Sequence, residues 1–288
     1  ALAKVLSSID ADFSKWRTKI ASIFVIVVPM LLVFLQNDTG SALVFASFVF
    51  VLFREGLSAY VLVFGAALIV LFVSALLIDK YILVGILFAL CLVAWLVIKR
   101  KSHRTKVWLF LVCFLISSAV VFAVDVVFDK GLEQHQKDRI EVLLGKKEDL
   151  KGVGYNVNQS KIAIGSGGFL GKGFLNGTQT KYNFVPEQDT DFIFCTIGEE
   201  WGFIGSSITI ILFLTLCIRL VKMAERQRSK FARIYGYGVA SIIFFHFFVN
   251  IGMTIGLLPV IGIPLPFISY GGSSLWAFTL LLFIFIRQ

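Results

Sequence analysis

Glu187, Asp189 and Asp191 lie within five residues of one another in VPEQDTDFIF, residues 185–194, where an apolar segment begins. Carboxylates at the edge of a hydrocarbon layer cost desolvation energy, so they mark a pathway, a site or a solvated boundary. Pro186 suits a helix start, and the helix dipole favours acids in a first turn. That alone is a sufficient reason for all three to stand there. Asp191 differs because Phe192, Ile193 and Phe194 follow it at once, placing it at the lip of the apolar layer. Partial desolvation makes a carboxylate a stronger general base. Glu199 comes eight residues later, about 80° round an ideal helix, so the two acids need not act together.

Two further stretches carry residues suited to chemistry. GSGGFLGKGFLNGT, residues 165–178, has six glycines in fourteen positions, including Gly165, Gly167 and Gly168. Its amides can form an anion-binding nest beside Lys161 and Lys172, or the run can be a tight turn packed among helices. In GIPLPFISYGGSS, residues 262–274, Pro264, Pro266, Gly271 and Gly272 forbid a regular helix. Irregular backbone near membrane depth must line protein or a watery cavity. His246 and Asn250, in the preceding apolar segment, are expected to bond between packed helices. Together these residues describe a membrane-embedded enzyme or transporter for an anionic amphiphile.

The elements that must position them are membrane helices. The chain is 58% hydrophobic and 16% charged over 288 residues, with a mean hydropathy of +0.87, and about 20 apolar residues cross a bilayer core as a helix. Eight spans are predicted, over residues 20–35, 41–53, 57–78, 81–98, 107–128, 203–221, 231–258 and 273–286, giving an all-α polytopic membrane protein. Basic residues concentrate in KWRTK (15–19), at Arg54, in KRKSHRTK (99–106) and in KMAERQRSK (222–230), whereas QNDTGS (36–41) has none. These basic loops alternate sides, which places them in the cytoplasm and the long polar segment 129–190 outside it. The net charge of +9 thus sets orientation and is not a nucleic-acid footprint. Within the polar segment, DRIEVLLGKKEDL (138–150) has the spacing of a short amphipathic helix, lying on the membrane face or packed on the spans. The four cysteines fall within or beside apolar runs, so neither a disulfide framework nor a metal-ligand spacing is present.

Several stretches resemble the SEDS family (shape, elongation, division and sporulation) in linked order: QNDTGSALV (36–44), QSKIAIGSGGFLGKGFLNGTQ (159–179), FVPEQDTDFIF (184–194), GEEWGFIG (198–205) and NIGMTIGLLPVIGIPLPFISYGGSS (250–274). The form GKG…NGTQ looks more like the elongation branch than the division branch. The resemblance spans nearly all of the chain except 79 to about 130, which reads as an added helix pair over 79–128. It implies membrane helices over 1–128, an extracytoplasmic loop over 129–190 and C-terminal helices over 191–288, with a re-entrant cavity-lining segment near 259–274. The implied activity is peptidoglycan glycosyltransfer: polymerisation of lipid II on the outer face of the bacterial cytoplasmic membrane, with a class B penicillin-binding protein as partner. The family's TDF aspartate corresponds to Asp191, the implied general base. Lys161, Lys172 and Arg139 are expected to offset the undecaprenyl diphosphate leaving group, and Glu187, Thr190, Gln179, Ser269 and Tyr270 to line the substrate site. Asp38, Gly165, Gly167, Gly168, Asn250, Pro264, Pro266, Gly271 and Gly272 are expected to shape it. A divalent cation such as Mg2+ would be held by Asp189 and Asp191.

The chain departs from the family pattern in places. DTDF stands where relatives have HTDF, so Asp189 sits at a histidine position. QNDTGS replaces QPDLGT, keeping Asp38 and Gly40. The family's PSE…K element and about four preceding helices have no counterpart here, so Ala1 is expected to fall within the fourth family helix. A lipid II flippase and a non-catalytic scaffold for a penicillin-binding protein are the rival functions. A flippase would need polar residues through the bilayer, whereas Asp125, Asp129 and Asp191 are predicted near the outer surface.

Overall fold

The computed structural model describes residues 1–8, 15–101, 107–126, 128, 131–145 and 153–288, which contain helices and no strand. The helices are α1 (Leu2–Ser7), α2 (Trp16–Phe34), α3 (Thr39–Ala46), α4 (Phe48–Arg54), α5 (Ala59–Leu77), α6 (Lys80–Lys101) and α7 (Val107–Val126). They continue as α8 (Gln134–Leu143), α9 (Val153–Gly167), α10 (Thr178–Lys181), α11 (Ile193–Arg226), α12 (Lys230–Thr254) and α13 (Gly272–Arg287). Five of them, α2, α5, α6, α11 and α12, are long and apolar enough to cross a membrane, and shorter apolar stretches lie at 39–54, 110–124 and 272–287. Every predicted span has its counterpart, and the protein is a polytopic helical membrane protein. Large side chains such as Phe64, Leu212 and Trp276 are exposed, as a lipid-facing surface requires.

Contacts divide the described chain into two compact units, residues 1–57 with 145–288, and residues 58–144. These boundaries cut differently from the predicted ones, because α5 packs with α6 and α7, while α9 and α10 pack on α11. In the first unit α12 is the central helix: 61% of its apolar window is buried, against 6% for α2. Its core joins Phe194, Phe213, Tyr237, Ile243, Phe247, Leu265 and Phe285. A second cluster, with Ala163, Val185, Phe192, Cys195, Met253 and Val260, seats α9 beneath the turn that precedes α11. The other unit has its own core of Ala75, Leu83, Val121 and Val124.

Two elements differ from expectation. The segment read as a loop over 129–190 contains α9, a fifteen-residue helix, so Gly165 and Gly167 end a helix and the turn begins only after them. And α11 begins at Ile193, ten residues ahead of the predicted span, with a break at Gly202 (φ 60°, ψ −155°). Helix α8 overlaps the start of the stretch 138–150 read as amphipathic; Ile140 and Leu143 on it, and Leu144 just after it, are half-buried. Residues 146–150, Asp129 and the side chain of Asp125 lie outside the described residues.

Candidate functional site

Asp191 does not sit in a helix. It lies in the turn ahead of α11, made when the carbonyl of Glu187, itself at φ 54°, accepts from the amides of Thr190 (3.3 Å), Asp191 (3.1 Å) and Phe192 (3.1 Å). Glu187 and Asp189 are exposed, while Asp191 and Thr190 are half-buried. The Thr190 hydroxyl donates to Glu187 Oε2 at 3.1 Å, stiffening the turn.

Three successive carbonyls of this turn are tied to distant chain. Tyr270 N donates to Asp189 O (2.7 Å), Ser269 Oγ to Thr190 O (2.5 Å), and Asn250 Nδ2 to Asp191 O (2.8 Å). Asn250 is fully buried on α12 and also donates to Ile263 O at 2.7 Å. One amide therefore fastens the aspartate turn and the irregular segment 255–271 to the same helix. Leu265 N donates to Ser269 Oγ at 2.7 Å, and His246 Nδ1 to Pro264 O at 3.3 Å, holding that segment in place. Pro266 and Ser269 are buried and Tyr270 is exposed. The segment crosses close to the acid: a Cβ on Gly262, at φ +76°, would stand 3.3 Å from Asp191 Oδ2. Gly271, at φ +151°, precedes α13, and Gly272 is its first residue. Gly40 packs against the same segment, where its Cβ would meet Ile261 O at 2.9 Å. Asp38, exposed, caps α3 by accepting from Ser41 N (2.9 Å).

Asn250→Ala is expected to lower activity by at least ~10-fold, since displacing a reacting group by about 1 Å can cost ~100-fold. Two buried carbonyls also lose their donor, at about 1–3 kcal/mol each. Thermal unfolding together with turnover, measured on the same preparation, checks both effects.

Lys161, on α9, reaches the other end of the segment. It is exposed, and its Nζ lies 2.5 Å from where a Cβ on Gly256 would stand. Lys161 and Asp191 thus flank one stretch of chain, residues 256–262. Arg139 stands on α8 in the other unit.

The glycine run makes a tight turn packed against α11, and the anion is held just after it, where the amides of residues 178–180 meet a carboxylate that the protein itself supplies. Glu199 is fully buried. Its Oε1 accepts from Lys172 Nζ (2.7 Å), Thr178 N (2.8 Å) and Gln179 N (2.9 Å), and its Oε2 from Thr180 N (2.9 Å) and Thr180 Oγ1 (2.9 Å). Lys172 also donates to Thr178 Oγ1 at 2.6 Å. Its charge is committed to Glu199, and the amide of Gln179 is spent there too. Nothing in the sequence pointed to Glu199 as the organiser, beyond its being an acid in an apolar run. The same loop splices the break in α11: Lys172 N and Gly173 N donate to Glu199 O (3.0 Å) and Glu200 O (2.9 Å), while Phe203 N and Ile204 N donate to Gly168 O (2.9 Å) and Phe169 O (3.3 Å). Broken helices are tolerated in membranes where other chain satisfies the freed groups.

The splice needs glycine. A Cβ on Gly167 would overlap Gly198 O, and one on Gly202 would overlap Gly171 N and stand 2.8 Å from Phe169 O. Gly202→Ala is expected to cost roughly 2 kcal/mol or more, through strain at positive φ and loss of this contact. The thermal unfolding midpoint of the purified protein should fall by several degrees.

Among the described residues no three His, Cys, Asp or Glu side chains gather into a metal-binding group. Asp189 and Asp191 offer a cation two carboxylates at most.

Comparison with known proteins agrees with the motifs. A family model described as FtsW/RodA/SpoVE cell cycle protein matches residues 83–287, running through the α6–α7 pair that the sequence set apart as an addition. The peptidoglycan glycosyltransferase MrdB of Escherichia coli is 36% identical over 255 residues, 88% of this chain and 55% of that protein. The peptidoglycan glycosyltransferase RodA of Treponema pallidum is 43% identical over 145 residues, 50% of this chain and 34% of that protein. The chain spans about half the length of the curated relatives it matches. A solved structure on the coordination of polymerization and crosslinking by a peptidoglycan synthase complex superposes with a TM-score of 0.65 at 25% identity, covering 99% of this chain and 65% of its own. The chain belongs to the FtsW/RodA/SpoVE family of cell cycle proteins.

Proposed function

We propose that the full-length protein is a peptidoglycan glycosyltransferase that polymerises lipid II on the outer face of the bacterial cytoplasmic membrane. The observation that carries this reading is the Asp191 turn. A half-buried carboxylate sits on a backbone fixed at three successive carbonyls, against an irregular segment that also meets Lys161. A fixed base, with a cation at the other end of the same segment, suits attack by a sugar hydroxyl on a lipid-linked diphosphate.

In this mechanism Asp191 takes the proton of the acceptor hydroxyl as its oxygen bonds to the donor's anomeric carbon. The bond from that carbon to the diphosphate breaks, and undecaprenyl diphosphate leaves with the electron pair. Lys161 offsets the developing negative charge. Lys172 acts at one remove, by holding Glu199 and with it the loop. Mg2+ keeps several waters and is usually held by one or two carboxylates plus substrate phosphates. A divalent cation taking part here would therefore arrive with the diphosphate and meet Asp189 and Asp191. A class B penicillin-binding protein is the proposed partner, in keeping with the similar structure's coupling of polymerization to crosslinking.

The test is lipid II polymerisation by the full-length protein, purified with a penicillin-binding protein whose transpeptidase site is blocked. Glycan strands of many disaccharides are expected. Unpolymerised lipid II moved across vesicles would identify a flippase. Inactivity in both assays with the complex intact would identify a scaffold.

A further inference from the structure

A cavity of about 560 Å3 opens between α4, α11 and α12. Phe50, Leu214, Ile218 and Phe244 form its walls, and Arg54, Lys222, Glu225 and Tyr237 its polar end. That end belongs to the basic loops, which the positive-inside rule assigns to the cytoplasm, whereas Asp191 belongs to the opposite face. The glycosyltransferase mechanism uses none of these residues.

The polar end is built. Arg54 Nη2 donates to Glu225 Oε1 (2.6 Å) and to the Tyr237 hydroxyl (2.9 Å), and its guanidinium carbon lies 5.1 Å from the centroid of the Tyr237 ring. Both bonds use one nitrogen, leaving the Nη1 and Nε hydrogens of an oriented guanidinium available. Lys222 makes no hydrogen bond or ion pair among the described residues. Residues 219–230 carry five basic side chains, at 219, 222, 226, 228 and 230, against the single acid Glu225, which Arg54 already neutralises. Along α11 the groove runs from Leu214 to Glu225, eleven steps of 1.5 Å or about 16 Å. That is close to one leaflet of a hydrocarbon core roughly 30 Å thick.

We infer that this groove binds an anionic phospholipid, one acyl chain lying along α11 and the phosphate held by Lys222 and Arg54. Basic pockets between membrane helices on the cytoplasmic side take such headgroups. A zwitterionic lipid would gain the acyl contacts without net charge attraction, so the headgroup sets the preference.

The full-length protein would be reconstituted in vesicles of equal phosphatidylglycerol and phosphatidylcholine, and the retained lipid counted by native mass spectrometry. Phosphatidylglycerol should be retained in about five-fold excess, the worth of one cation near a membrane surface. Lys222→Glu should bring the ratio to about one or below. Ile218→Trp, at a half-exposed wall position, should displace the bound lipid while leaving the unfolding temperature unchanged. Equal retention of the two lipids by the wild type, or a preference that both variants keep, would overturn the assignment. So would no retained lipid at all, the result expected where another segment of the full-length protein fills the groove.

Discussion

Asp191→Asn is expected to cut lipid II polymerisation by at least ~100-fold, the lower end of what a positioned general base contributes. The carboxamide keeps the size of the side chain but cannot take the acceptor's proton. The contacts from Tyr270, Ser269 and Asn250 all fall on main-chain carbonyls. The substitution therefore keeps those three ties to the turn, and co-purification of the partner should be unchanged. Asp189→Asn and Glu187→Gln, at exposed positions of the same turn, should each lose less than ~10-fold. Strand lengths on a gel, with the variants compared at equal protein, decide the matter. Normal strands from Asp191→Asn would move the base elsewhere, with Asp189 the next residue to test.

Glu199→Ala should have the largest effect on stability, about 3–5 kcal/mol, the range for removing one partner of a buried charged pair. The amides of Thr178, Gln179 and Thr180 all lose their acceptor, and each buried unmet donor costs about 1–3 kcal/mol. Lys172→Ala should cost less, about 1–2 kcal/mol, because the carboxylate keeps those amide donors and the lysine is itself partly exposed. Loss of the loop would also release the splice across the α11 break, so Glu199→Ala should lose activity together with stability. Thermal unfolding of both variants tests the order. A Lys172→Ala protein that is fully stable yet inactive would return Lys172 to a direct role at the diphosphate.

Much of this was legible in the chain itself. Membrane helices announce themselves because hydrocarbon thickness sets a length and dehydration sets a composition, both visible in a window of about 20 residues. The expected orientation rests on basic residues in short loops, again a local count. Asp191 stood out because three phenylalanine and isoleucine residues follow it directly, and the linked motifs pointed to the family before any coordinates.

Other features needed the path of the chain. Helix α9 escaped notice because VGYNVNQSKIAIGSG mixes polar, glycine and apolar residues with no clear stripe. It is held by packing on α11, which propensity does not report. The Lys172–Glu199 pair joins residues 27 apart, and the ties to Thr190 and Asp191 span 79 and 59 positions. A hydrogen bond requires its two ends about 3 Å apart, and sequence separation carries no such distance. So the sequence by itself determined the spans, and it set the expectations of their direction and of an acid at the membrane edge. Only the tertiary structure decided that the amides of residues 178–180 hold Glu199, that Lys172 joins them, and that Asn250 fastens the aspartate turn.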